Sequence, residues 1–308
     1  MRKYVLLLLS VVLFSGYAAA EIQAKRIDYS VYVRLPFDQS SDKVVRMIAG
    51  PQSITWSSGV FDFIGERLIP SSSGADWFNK YGQATVLRNG NDESPPVWVS
   101  ESQIIGGNHK LNGLSTISNY QYEIFLDGVK IPNSFTTVSG KEIVLKETYT
   151  AHMGDGVPVL DIVNQYTYTD SPKVKFAYSL TARNDIAYTR FGAAQFQKLP
   201  STNTILFAPN TNQSCGINLT NITQPVNAYP DERSLPGAYD DEMNMAVVSG
   251  GSVIRRFAFK YDTPADLAYE QAVVRVSAKA KMYPVFYEGP LTAGQTKTTS
   301  GYFGVLPL

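Results

Sequence analysis

One cysteine, two histidines and three tryptophans are all that 308 residues supply of these chemically distinctive types. A lone thiol, Cys215, closes no internal disulfide, so a packed core must carry the stability. No H-E-x-x-H pair, no paired cysteines and no D-x-D-x-D-G loop occurs; the reading therefore includes no metal and no cofactor. There is no G-x-S-x-G elbow, no phosphate-cradling P-loop and no dinucleotide fingerprint. Neither charge sign dominates, with 27 basic and 27 acidic residues. That balance gives no basic footprint for nucleic acid and no acidic tail. Long apolar runs are lacking too: Val5 to Phe14 is too short to cross a bilayer as a helix.

That short run sits between Arg2-Lys3 and the small residues Ala18 and Ala20, the layout of a secretory signal. The expectation is a signal over 1–20 and a single exported domain over 21–308, periplasmic or secreted, with no transmembrane segment in the mature chain. Removing Arg2 and Lys3 leaves 25 basic residues against 27 acidic ones. Asn212, Asn218 and Asn221 stand in N-x-S/T triplets, which accept glycans only along a eukaryotic secretory route.

What the chain has in quantity is β-forming residues. Hydrophobic types make up 44% and aromatics 12%, too many for a disordered chain. Period-two alternation runs through Asp28 to Leu35, Ile143 to Tyr149, Val159 to Tyr168, Val174 to Thr181, Val253 to Lys260, Gln271 to Lys279 and Met282 to Tyr287. Over Val174 to Thr181, Val174, Phe176, Tyr178 and Leu180 face one way and Lys175, Ala177, Ser179 and Thr181 the other. Turn chemistry separates the runs at Asp127-Gly128, Ser139-Gly140, Gly154-Asp155-Gly156 and Gly289-Pro290. Helical signals are few: Asp42 to Ala49, Ala75 to Tyr81, and a start at Thr263-Pro264. This predicts an all-β chain, a large antiparallel β-sandwich with few short helices. Ser71 to Pro96 and Pro200 to Pro236 read as long surface loops.

Candidate chemistry gathers at predicted strand ends. His109 follows the bend Gly106-Gly107 with Asn108 before it and Lys110 after it, placing an imidazole where the backbone turns sharply. His152 precedes Gly154-Asp155-Gly156. Arg183 closes one strand, and Tyr188 and Arg190 follow; an arginine fork recognises carboxylates, and a phenol beside it is a candidate base. Each has a plainer reading as a solvated turn or a strand-end ion pair. Trp77, between Asp76 and Phe78 with Asn79 nearby, is a candidate indole for stacking on a sugar ring; core burial is the alternative.

The segment Glu147 to Pro200 resembles the strands of galactose-mutarotase-like and polysaccharide-lyase β-sandwich domains. Asp155-Gly156-Val157-Pro158-Val159-Leu160 leads there into Val163-Asn164-Gln165-Tyr166, then Val174 to Leu180 ends at Arg183-Asn184. Lys281-Met282-Tyr283 and Leu291-Thr292-Ala293-Gly294-Gln295 resemble the terminal strands. The resemblance implies a mutarotase-like sandwich and a polysaccharide or oligosaccharide partner; it brings no aligned catalytic set.

Two functions stay open. As a lyase on an acidic glycan, the protein would use His109 or Tyr188 as base for β-elimination. Arg183 or Arg190 with Asn108 would neutralise the carboxylate, Lys110 would assist, and Trp77 and His152 would bind substrate. As a non-catalytic module, it would bind glycan or join a surface assembly through the same scaffold.

Overall fold

The computed structural model describes residues 21–28, 30–48, 62–78, 97–100, 104–105, 117–192, 252–262 and 285–307, with short strands over 88–89, 110–111, 114–115, 196–197, 204–209, 231–236, 243–249, 266–267, 271–276 and 281–282. Among these, residues 48, 62–65, 88–89, 98, 104, 110–111, 114–115, 196–197, 204–209, 231–236, 243–249, 252–257, 266–267, 271–276, 281–282 and 285 are described by backbone alone.

The described chain is built of strands, as the alternation predicts. A central nine-stranded sheet orders Val129–Ile131, Ile117–Leu126, Ile143–His152, Pro158–Tyr168, Val174–Ala182, Thr296–Leu306, Ser252–Tyr261, Met243–Ser249 and Thr204–Pro209. All of its pairings are antiparallel. Hairpins build its middle. Asp127 and Gly128 both take positive φ, 49° and 78°, as a two-residue turn of the primed type requires. The Asp127 carboxylate then accepts the amides of Lys141 and Glu142, each at 2.8 Å, fixing the corner.

An N-terminal five-stranded sheet orders Thr137–Gly140, Ile22–Ile27, Ser30–Pro36, Ser41–Ile48 and Asp62–Pro70. A third sheet joins Asp266–Leu267, Val285–Leu291, Ile186–Gly192, Val97–Trp98 and Ile104–Ile105. One buried cluster takes side chains from all three: Val33, Leu35 and Met47; Leu145, Ile162 and Leu180; Phe191, Phe286 and Leu291. Aromatic rings knit its centre, Phe176 stacking on Tyr178 at 5.1 Å and on Phe259 at 5.7 Å. Each fully buried Leu or Phe contributes about 1.5–3 kcal/mol of apolar transfer.

Three expectations are corrected. Of the expected helix Asp42 to Ala49, residues 42–48 are strand and Ala49 lies outside the described residues. Val45 and Met47 enter the main core while Val44 packs with Ile69 and Trp77 on the opposite face. A strand covered on both sides loses its alternation, which is why its sequence imitates a helix. Gly289-Pro290 lies inside the strand Val285–Leu291 rather than in a turn. Ser139-Gly140 ends the strand Thr137–Gly140, with the bend one residue later. Over 75–78 the chain turns and closes in a short 3₁₀ segment at Trp77-Phe78.

The core face of the central sheet carries a polar rung. Glu147, Asn164, Tyr178 and Thr299 stand in register on four neighbouring strands, all buried. Asn164 Nδ2 donates to Glu147 Oε1 at 2.6 Å, and the Tyr178 hydroxyl donates to that of Tyr166 at 3.0 Å. Burial pushes the phenols of Tyr149 and Tyr178 well above their ordinary range.

Candidate functional site

Side chains alternate across a strand, so the rung on the core face fixes what the opposite face presents. On that open face the rows read Ser118, Thr150, Asp161, Thr181, Thr296; then Gln121, Thr148, Val163, Ser179, Thr298; then Glu123, Lys146, Gln165, Ala177, Ser300. Apart from Val163 and Ala177 every one is polar. Within the first row Thr150 Oγ1 donates to Asp161 at 3.0 Å, and the hydroxyls of Thr181 and Thr296 meet at 2.9 Å.

Arg183 and His152 belong to this face. Arg183 Nε lies 2.9 Å from both carboxylate oxygens of Asp161, and Nη2 lies 2.8 Å from Oδ1. The Asp161 hydrogen bonds and charge raise the Arg183 pKa further. The guanidinium is thus a strand-end ion-pair partner, and its fork is directed at an internal carboxylate. His152 Nδ1 contacts the Gly156 carbonyl at 2.9 Å, and Nε2 lies 2.5 Å from Ser118 Oγ.

At the other end of the same face, Tyr302 stands between Lys175 and Lys260 in register. The Lys173 ammonium sits 3.9 Å from the Tyr302 ring centroid. Lys175 is exposed and the other three are half-buried. None of the three lysines forms an ion pair among the described residues. This basic, aromatic row escapes notice in the sequence because Lys175 and Lys260 are far apart in the chain. The alternating runs Val174 to Thr181 and Val253 to Lys260 each carried a signal for their own lysine, but none that pairs them.

Tyr188 and Arg190 converge on a different group. Both donate to Glu288 Oε1, at 2.8 and 3.1 Å, across the pairing of Ile186–Gly192 with Val285–Leu291. The Arg190 guanidinium also lies 5.9 Å from the Tyr188 ring centroid. Glu288 carries no sequence signal, since any of 27 acids could have faced that pair.

The remaining candidates divide. Trp77 is 3% exposed, packed with Val44 and Ile69 and edge-on to Phe78 at 6.1 Å, so its indole is a core group and offers no open face to a sugar. Lys110 begins the two-residue strand Lys110–Leu111, described by backbone alone. His109 and Asn108 lie outside the described residues, as does Cys215. Among the described residues no cluster of His, Cys, Asp or Glu has the makings of a metal site, and no helix is long and apolar enough to cross a membrane.

No protein-family model matches the chain, and no curated protein matches it by sequence. Solved structures do. A galactose 1-epimerase from Lactobacillus acidophilus NCFM aligns over 94% of this chain and 99% of its own, at 8% identity and a TM-score of 0.36. The heparan sulfate lyase HepC from Pedobacter heparinus aligns over 91% of this chain at 12% identity and a TM-score of 0.41; the match spans 35% of that longer chain. The protein HI1317 aligns over 93% of this chain at 12% identity and a TM-score of 0.29. The first two are of the kinds that the strand patterns of Glu147 to Pro200 resemble. At these scores roles of individual residues do not transfer through the likeness.

Proposed function

We propose that the protein is an exported carbohydrate-binding β-sandwich that holds an acidic glycan on the open face of its central sheet. The observation that carries this reading is the row Lys175–Tyr302–Lys260 with Lys173 over the ring. A phenol face packs against the apolar C–H face of a sugar, and the Lys173 ammonium at the ring, with Lys175 and Lys260 on the flanking strands, supplies charge to match carboxylate or sulfate substituents. The hydroxyl and amide rows beyond it supply hydrogen-bond partners for sugar hydroxyls. A chain of sugars crossing this face meets mostly polar groups, with Val163 and Ala177 as apolar positions between them.

Elimination chemistry is the second reading, favoured by Tyr188 alone: its phenol is hydrogen-bonded beside the Arg190 guanidinium. A lyase needs a cation directed at the substrate carboxylate, and Arg183 and Arg190 are each engaged by an internal acid. That engagement ranks binding above elimination. Titrating purified protein with polygalacturonate and with neutral dextran, while following unsaturated-uronate absorbance, tests both. Binding of the first polymer only, without new absorbance, is expected. Equal affinity for dextran would overturn the acidic-glycan reading, and absorbance abolished by Tyr188→Phe would establish the lyase instead.

A further inference from the structure

We infer that Ser118 and His152 form a nucleophile–base pair able to cleave carboxylic esters, a chemistry separate from glycan binding. A carbonyl oxygen only accepts, so the Nδ1 atom facing Gly156 at 2.9 Å must carry the hydrogen. In the neutral ring Nε2 then holds the lone pair, directed at Ser118 Oγ 2.5 Å away. A hydroxyl in reach of a base, with the base's tautomer set by a third group, is the arrangement that activates a serine. Both side chains are half-buried.

The backbone at Ser118 adds to this. Register with Ile143–His152 shifts between Ser118 and Gln121, so Asn119 and Tyr120 fall outside the paired residues. Asn119 takes φ 53°, a left-handed conformation uncommon for a residue other than glycine. The bulge breaks regular strand geometry directly after the hydroxyl, where the amide of the following residue is the usual donor to an oxyanion. A second register shift falls between Ala151 and His152, at the residue that carries the imidazole.

The step balances without a further reactant. Ser118 Oγ bonds to the ester carbonyl carbon, the carbonyl π pair moves onto oxygen, and the hydroxyl proton passes to His152 Nε2. The tetrahedral adduct collapses, its C–O bond breaks, and the leaving alkoxide takes that proton. Water then attacks the acyl-serine, giving a proton to Nε2 and receiving the acyl group; the proton returns to Ser118.

The test is labelling of the full chain with a fluorophosphonate, in which Oγ displaces fluoride from phosphorus, read by intact mass and peptide mapping. Expected is one adduct, on Ser118, with labelling slowed at least 100-fold in His152→Gln and p-nitrophenyl acetate turnover lost in step. Wild-type protein that takes no label on Ser118, or a folded His152→Gln variant labelled at the wild-type rate, overturns the inference. Mapping on the wild-type chain needs no variant to fold. The glycan reading is tested separately, on the Lys175–Tyr302–Lys260 row at the other end of the sheet, so failure here leaves that reading standing on its own result.

Discussion

Lys43 Nζ lies 2.9 Å from Glu66 Oε1, and neither side chain has any exposed surface. The pair ties two sheets together. Lys43 also donates to the carbonyls of Pro172 and Val305, and Glu66 Oε2 accepts the Val305 amide at 2.6 Å. Burial lowers the Lys43 pKa and raises that of Glu66, and their mutual attraction opposes both shifts. Removing one partner strands a buried charge, so Lys43→Met or Glu66→Leu alone costs about 3–5 kcal/mol. The double variant is expected to recover most of that loss. Urea unfolding of the four proteins checks it: two single losses that simply add would show the pair is not coupled.

Glycine is required at 301 for a reason of space. A Cβ there would sit 2.0 Å from the Lys260 carbonyl oxygen and 2.8 Å from Phe176 Cζ. Gly301→Ala therefore forces backbone apart at the centre of the sheet and is expected to cost about 2–3 kcal/mol or more. Gly128 is the control: its surroundings are open and only its φ of 78° resists a side chain. Gly128→Ala is expected to cost about 1 kcal/mol, measured in the same denaturant series.

The buried rung predicts a polar cost. Asn164 Nδ2 is a 2.6 Å donor to Glu147, a carboxylate with 1% of its surface exposed. Asn164→Leu removes that donor and is expected to destabilise by about 1–3 kcal/mol. A thermal melt equal to wild type would show that Glu147 is satisfied without it.

Acid sensitivity has a readable sign at two surface carboxylates. The Ser40 backbone amide lowers the Asp38 pKa, and the Lys130 side chain lowers that of Glu123. A carboxyl depressed in the folded state adds stability above its unfolded value, and that stability disappears as pH falls through the folded one. Lys130→Ala should raise the Glu123 midpoint toward 4.5, read by carbon-detected NMR titration. An unmoved midpoint would show that the exposed pair at 2.7 Å does not persist in solution.

How much of this was legible in the residues differs by element. Ile143–His152, Pro158–Tyr168 and Val174–Ala182 have one core face and one open face, and their alternation announces both. Within Ser41–Ile48, Val44 packs on one face and Val45 and Met47 on the other, so its pattern misled. Tyr188 and Arg190 were visible as a pair two residues apart on one strand face, but their shared partner Glu288 is about a hundred residues away. Lys175, Tyr302 and Lys260 become neighbours only through sheet order, which alternation alone does not specify. Trp77 looked like a loop residue because Asp76 and Asn79 stand close to it in the chain; the packing partners that bury it, Val44 and Ile69, come from strands.

The most direct measurement is the dissociation constant for polygalacturonate, by calorimetry at low and physiological salt, of wild type and of the Lys173→Gln, Lys175→Gln, Lys260→Gln triple variant. Glycan binding through this row predicts wild-type affinity that weakens as salt rises, and a loss of at least tenfold in the triple variant with most of the salt dependence gone. A triple variant that binds as wild type, with the same salt dependence, would contradict it.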